Sequence, residues 1–151
     1  MENKMEKTLL MIIGIPGSGK TTKAQNIQRS DPRFKNANIW EADMYFIDPI
    51  TKEYVWNKDE LWHAHKWCQR NVEEDMIAGK NVIVSNTSLT ESERRPYIQL
   101  AKEYGYKVEV ITCTGNYKNI HNVPDESIAR MRIKFQPFNE ETELSSFYSK
   151  N

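Results

Sequence analysis

The eight residues Gly14-Ile15-Pro16-Gly17-Ser18-Gly19-Lys20-Thr21 constrain this chain more than any other stretch. They satisfy G-x-x-x-x-G-K-[ST] at every fixed position. Ahead of them Leu9-Leu10-Met11-Ile12-Ile13 is apolar throughout, as a strand covered on both faces must be. Behind them Thr22 to Gln28 has helical composition. Gly14, Gly17 and Gly19 let the backbone turn so sharply that successive N–H groups face one anion. The helix that follows aims its positive end at the same point. In such a cradle Lys20 reaches the terminal phosphates and the Thr21 hydroxyl is a ligand for Mg²⁺, with Pro16, Ser18 and Thr22 completing the wall. The expected ligands are ATP and Mg²⁺.

At 151 residues the chain has room for one domain with a real core. Lys plus Arg and Asp plus Glu both number 21, so no overall charge marks a nucleic-acid partner, although a local basic patch remains compatible with balance. Cys68 and Cys113 are too few for a disulfide framework. The apolar run 9–13 is too short to cross a bilayer and no cleavage site follows it, which makes a cytoplasmic, membrane-free protein the expectation.

Taken in order, Asn38–Glu41 is expected as a second strand that ends at Ala42-Asp43-Met44-Tyr45-Phe46. Ligands of parallel α/β sheets lie beyond the carboxyl ends of strands. Asp43 therefore shares an edge with the phosphate loop, where a general base for an acceptor hydroxyl belongs. Tyr54-Val55-Trp56 reads equally as a satellite core or a stacking platform. Asp59 is expected to cap a helix over 60–78, with Leu61, His65, Cys68, Val72 and Met76 as its buried stripe. His65 and Cys68 lack a second ligand pair, so packing explains them better than a metal does. Val82–Val84 forms a third strand that delivers Ser85-Asn86-Thr87 to the same edge. Thr90 and Glu93 form a capping box for a helix bent or delayed by Pro96 and stopped by Gly105. Tyr106–Ile111 is a fourth strand. Polar residues 112–123 follow, expected to be mobile. A last helix begins at Pro124, with Ile128, Met131 and Phe135 inward and Arg130, Arg132 and Lys134 on a basic side.

Strands alternating with helices give an α/β fold with a parallel sheet. The ordered set GIPGSGKT, Asp43-Met44-Tyr45-Phe46, Ala64-His65-Lys66-Trp67-Cys68, Val82 to Thr87, Pro96-Tyr97, Lys118 to Pro124 and Ile128 to Met131 resembles the P-loop kinases related to polynucleotide 5′-hydroxyl kinase, in particular the kinase domain of NEDD4-binding protein 2. The resemblance runs from Leu9 to about Phe138. By its composition the polar tail over 139–151 is expected to be peripheral and disordered. The resemblance implies a P-loop NTPase of kinase type, a three-layer sandwich on about four strands in the order 2-3-1-4, with a domain over 1–138. It also implies that Asp43 activates the acceptor hydroxyl, that Asn86 and Thr87 help hold the acceptor, and that a lid precedes Val123. Tyr45, Phe46 and Arg130 join Asn86 and Thr87 as acceptor-side candidates, and Lys118 joins the nucleotide side.

Phe46 stands where phage-type members carry an arginine, and Asn86 where they carry an aspartate. Losing both partners of that pair leaves no orphan charge, so an intact site can read a different acceptor. Ser85 replaces an aspartate usual in the nearer branch. Lys118 replaces a lid arginine with a point charge. The expected activity is transfer of the ATP γ-phosphoryl group to a hydroxyl, first the 5′-hydroxyl of a nucleic acid, then a nucleoside or other small acceptor. The alternative is an ATP-binding module with little turnover.

Overall fold

The computed structural model describes residues 6–117 and 123–147. Strand β1 (Thr8–Ile13) lies between β3 (Val82–Ser85) and β4 (Lys107–Thr112), and β2 (Asn38–Trp40) forms the edge beyond β3. All three pairings are parallel, giving the order 2-3-1-4 that the motifs imply. Alternation along β1 divides the core. Leu9, Met11 and Ile13 face a cluster with helices α2 (Leu61–Ile77) and α3 (Glu91–Tyr104). Leu10 and Ile12 face Ala24 of α1 (Lys20–Ser30) together with Phe34. Each such buried aliphatic side chain contributes about 1.5–3 kcal/mol, and β1 is buried at all six positions. Because β1 is anchored on both faces, its carboxyl end is a rigid place from which to launch a loop.

The second helix differs from its expected register. Asn57, not Asp59, provides the local cap, accepting from the Asp59 N–H at 3.0 Å in a short 3₁₀ turn ahead of α2. The buried stripe is Ala64, Cys68, Val72, Asp75 and Met76, while Leu61 and His65 are exposed. Asp75 belongs on that stripe because its carboxylate accepts from Asn38 Nδ2 and Trp40 Nε1, at 3.0 and 2.8 Å, tying the helix to β2. Leu61 and His65 lie where α2 starts, beyond the sheet edge, and face a cavity. Helix α3 runs through Pro96 and ends at Gly105, whose φ of 76° is the left-handed stop that glycine allows. Its capping box is displaced by one residue: Thr90 accepts from Glu93 N–H, but the Glu93 carboxylate takes the N–H of Leu89.

The largest departure is the C-terminal segment. Residues expected to form a disordered tail fold back as α4 (Asp125–Lys134) gives way to a short helix α5 (Glu140–Glu143) and a 3₁₀ turn over Ser145–Phe147, burying Leu144. The cause is Arg94. Its side chain is fully buried and forms a two-pronged pair with Glu143, Nε to Oε1 and Nη2 to Oε2, both at 2.8 Å. The remaining guanidinium donors reach the Ser88 and Gln136 carbonyls at 2.7 and 2.9 Å. Removing one partner of a buried pair leaves the other charge desolvated. Arg94→Ala is therefore expected to cost about 3–5 kcal/mol, on the order of 10 °C in melting temperature. Lysine at this position should not restore it, since a point charge cannot hold four acceptors. A thermal melt of Arg94→Ala matching the native one would remove this pair as the anchor of the segment.

Helix α4 carries none of its residues fully buried; Ile128 and Met131 are half-buried and Ile133 exposed, so it lies along a cavity rim instead of in the core. Among the described residues, no helix is long and apolar enough to cross a membrane.

Candidate active site

The glycine loop leaves the end of β1 and enters α1 at Lys20, and its shape depends on the absence of side chains. Gly14 sits at φ 149°, and a Cβ there would lie 2.6 Å from both the Cys113 carbonyl oxygen and Ser18 Oγ. Gly14 N–H donates to the Thr87 carbonyl at 3.2 Å, which ties the loop to the segment after β3. Lys20 bends back over the loop, its Nζ 3.0 Å from the Ile15 carbonyl. Burial pushes the Lys20 ammonium below its ordinary pKa, against the opposing pull of Glu41, Cys113 and Asp43. An incoming polyphosphate would give this under-solvated cation its counter-charge.

Strand β2 brings a second set of groups to the same edge. After Trp40 the chain turns into a 3₁₀ helix over Ala42–Phe46, with Glu41 and Asp43 at its start. Asn86 holds that turn: its Oδ1 accepts from Ala42 N–H at 2.8 Å, while its Nδ2 donates to Tyr97 Oη at 3.3 Å and to Cys68 Sγ at 3.7 Å. The Asn86 amide is thus committed at both ends. These bonds tie the 3₁₀ turn that carries Asp43 to the end of β3, and Asn86 also lines the cavity described next. Asp43 Oδ1 accepts from the Tyr54 hydroxyl at 3.3 Å. Burial, and then the charge of Asp43, push the Tyr54 phenol up to about 12, so it remains a donor to the carboxylate at neutral pH.

These groups line one cavity of about 880 Å³. The loop residues Pro16 to Thr22, Glu41, Asp43, Asn86 and Thr87 are brought together there. Three acceptor-side candidates are not. Phe46 is buried against Tyr45, Tyr54 and Trp56, with ring centroids 5.5, 6.2 and 6.5 Å away. An aromatic ring in the place of a phage-type arginine gains by leaving water, and so joins the core. Tyr45 packs against Trp67 and opens toward a separate groove along α2. Arg130 is exposed, its guanidinium on Ser127 Oγ at 3.1 Å, and is not among the lining residues. Lys118 lies outside the described residues. The first half of the expected mobile segment is pinned: Cys113, Gly115 and Tyr117 N–H groups donate to the carbonyls of Ile13, Ser18 and Gly17 at 2.8, 3.1 and 2.7 Å. Gly115 permits this approach, since a Cβ there would lie 2.8 Å from the Ser18 carbonyl oxygen.

Among the other lining residues, Tyr54 and Trp56 belong to the aromatic cluster the sequence offered as core or platform, whereas Leu61, His65 and Glu41 escape a sequence reading. Tyr54, Trp56, Leu61 and His65 border the cavity, and the first two also pack on Phe46, so satellite core and exposed platform are the same residues. Glu41 is the most consequential. Its carboxylate accepts from Thr21 Oγ1 at 3.2 Å. Trp40 pairs with Val84 across the β2–β3 ladder, so Glu41 and Ser85 follow in register. Ser85 Oγ is buried, lines the same cavity and has no hydrogen-bond partner among the described residues. A carboxylate directly after a strand that faces a phosphate loop was the available signal.

A magnesium ion suits this donor set. Mg²⁺ prefers oxygen ligands, keeps several waters and leans on substrate phosphates, so it needs only one or two protein groups. Thr21 and Glu41 are such groups, and the partnerless Ser85 hydroxyl could orient a metal-bound water. Among the described residues no cluster of three or more His, Cys, Asp or Glu exists that could hold a metal unaided.

A parallel sheet in the order 2-3-1-4, with a phosphate loop after the inner strand β1 and a carboxylate at the end of β2, is the construction of a P-loop kinase. The chain belongs to the AAA domain family, whose model matches residues 9–122. It is 31% identical over 140 residues to NEDD4-binding protein 2 of Homo sapiens, a match covering 86% of this chain and 8% of that protein. The chain thus spans under a tenth of that relative's length. Among solved structures, Kti12 of Chaetomium thermophilum in complex with ADP-AlF3 superposes with a TM-score of 0.61 at 13% identity, covering 89% of this chain and 83% of that one. A chain of the Pnkp1/Rnl/Hen1 complex gives 0.60 at 18%, covering 94% and 44%. The APS kinase CysC of Mycobacterium tuberculosis gives 0.55 at 14%, covering 85% and 96%. At these identities the likeness is one of fold.

Proposed function

We propose that the protein is an ATP-dependent phosphotransferase that moves the γ-phosphoryl group to a hydroxyl acceptor. The observation that carries this reading is the placement of Asp43 in the same cavity as Lys20 and Thr21, held there by the Asn86 clamp and the Tyr54 hydroxyl. A module that only bound nucleotide would have no need of an oriented carboxylate across from the phosphate loop. Thr21 and Glu41 would hold magnesium, which would supply charge neutralisation at the phosphates. The loop N–H groups and Lys20 fix the triphosphate and stabilise charge on the transferring group. Asp43 takes the proton from the acceptor hydroxyl. As the acceptor oxygen–phosphorus bond forms, the bond from the γ-phosphorus to the β,γ-bridging oxygen breaks, and ADP leaves with that electron pair. Positioning of the two oxygens in line supplies most of the acceleration.

The motifs and the polynucleotide kinase-like resemblance favour a 5′-hydroxyl nucleic-acid end as acceptor. The test of the common step is direct: γ-labelled ATP and Mg²⁺ with 5′-hydroxyl DNA, 5′-hydroxyl RNA, nucleosides or buffer. Label is expected to move to a hydroxyl compound, and Glu41→Gln is expected to raise the Mg²⁺ concentration at half-maximal rate. Label found only in inorganic phosphate under all conditions would replace the kinase with an ATP-binding module of slow turnover.

A further inference from the structure

Outside that cavity the described residues frame a second depression, a groove of about 430 Å³ along α2. Residues spaced by four share one side of a helix. Trp62, Lys66 and Arg70 stand at that spacing, all three exposed, and all line the groove. They run two positions out of phase with Ala64, Cys68 and Val72, which α2 buries against the sheet. Packing of the helix on its own core therefore does not account for them.

Trp62 is 63% exposed, which leaves one of the largest apolar rings of the chain in water. Its surroundings hold it in place. The Lys66 Nζ lies 5.5 Å from the ring centroid, and His63 meets the ring edge-on with centroids 5.1 Å apart. Tyr45 and Trp67 also line the groove and pack on the core, so part of its wall is fixed. Lys66 and Arg70 outnumber Glu73 in the lining, and the Glu73 carboxylate accepts from the Tyr104 hydroxyl at 2.8 Å. The chain as a whole carries no net charge, so this surplus is local.

An exposed indole in line with two cations matches a polymer that alternates planar rings with phosphates. An acidic peptide would match the charge but leave the indole uncovered. A duplex would hide its rings in the stack. The groove also adjoins the site. Leu61 and His65 line the cavity while Trp62, His63 and Lys66 line the groove, and Asp43 lines the cavity while Tyr45 lines the groove. The first turns of α2 and the 3₁₀ turn that carries Asp43 thus form the wall between them.

On the strength of the kinase reading above, we propose that this groove is a binding surface for single-stranded nucleic acid. An unpaired base stacks on Trp62 and backbone phosphates pair with Lys66 and Arg70, while the 5′ end of the same strand enters the cavity. Binding there tolerates any sequence, because every base offers a π-face.

The test is fluorescence anisotropy on the full chain with Mg²⁺ and a non-hydrolysable ATP analogue. The probes are a 3′-labelled 5′-hydroxyl oligothymidylate, a blunt duplex and a polyglutamate peptide of matched charge. The single strand is expected to bind, with the duplex about tenfold weaker. Trp62→Ala should weaken the single strand about tenfold and Trp62→Phe should retain it. Lys66→Gln with Arg70→Gln should flatten the plot of log affinity against log salt by about 1.4, two phosphates at about 0.7 each. Affinity for the ATP analogue should be native in every variant, and melting curves confirm that each is folded. Failure of the single strand to bind overturns the proposal, as does a native affinity in Trp62→Ala or an unchanged salt slope in the double variant. A duplex that binds equally well, or a polyglutamate that displaces the strand equally well, reduces the groove to a general anion surface and overturns it too. A dimer in light scattering that Trp62→Ala dissolves would give the groove to a second copy of the chain instead. The same oligonucleotide with γ-labelled ATP separates the two readings. Strand binding that depends on Trp62 without label transfer would sink the kinase and leave the groove standing. Labelling of the strand with a native KM in Trp62→Ala and in the double variant would keep the kinase and sink the groove.

Discussion

Asp43→Asn is expected to slow phosphoryl transfer by about 10²–10⁴-fold while leaving ATP affinity nearly unchanged. The amide keeps the size of the carboxylate and its reach to the Tyr54 hydroxyl, but it cannot accept the acceptor's proton. The loss corresponds to about 3–5 kcal/mol of barrier. On the proposed reading nucleotide affinity should hold, because the loop N–H groups, Lys20 and the metal would carry the phosphates while Asp43 acts on the acceptor. Single-turnover transfer rates and calorimetric affinity for ATP, measured on the same preparation, decide the matter. Altered affinity with unchanged transfer would make Asp43 a group of the metal surroundings, and a native rate with every acceptor would end its role as base.

Lys20→Ala removes the cationic side chain that the loop itself positions. Loss of one preorganised charge-stabilising group lowers turnover by about 10²–10³-fold. Nucleotide binding should weaken roughly 10- to 100-fold, the worth of a charged hydrogen bond of about 1.5–3 kcal/mol. Stability should move the other way. Burial holds the folded Lys20 pKa below the ordinary 10.5, so in the native protein the charged form is penalised by folding. Between the lowered folded value and 10.5 the unfolded chain binds the extra proton, and native stability gains from Lys20 as pH rises through that window. The alanine variant lacks this gain and is free of the penalty at neutral pH. Calorimetry, turnover and denaturation against pH test the three parts. Native ATP affinity and turnover in Lys20→Ala would refute the phosphate-loop assignment itself.

Much of the architecture was legible in the sequence because its determinants are local. A glycine-lysine-threonine loop between an all-apolar run and a helix has one known use, and the strand–helix alternation around it implies a parallel sheet. Asp43 could be placed for the same reason: a residue just past a strand's carboxyl end lies at the ligand edge whatever the side chains do. Those features depend on neighbours a few positions away.

What the sequence left open depended on contacts between distant segments. Arg94 has the composition of a wet helix face, and Glu143 that of a solvated acidic tail. Only their meeting, 49 residues apart, turns both into a buried anchor. The resemblance implied Asn86 as an acceptor residue; that its amide also bonds Ala42, Tyr97 and Cys68 follows only from the tertiary structure. Glu41 became a candidate metal-shell carboxylate through the β2–β3 register that places it beside Ser85 and within reach of Thr21. Phe46, Tyr54 and Trp56 were separated by the same tertiary accounting: the first ring is swallowed by the core, and the other two are left at its surface facing the cavity. Local chemistry determined that a phosphate-loop motif stands at the end of β1. The fold decided which side chains share a cavity with it, because hydrogen-bond capacity and burial are set by partners that sequence order does not reveal.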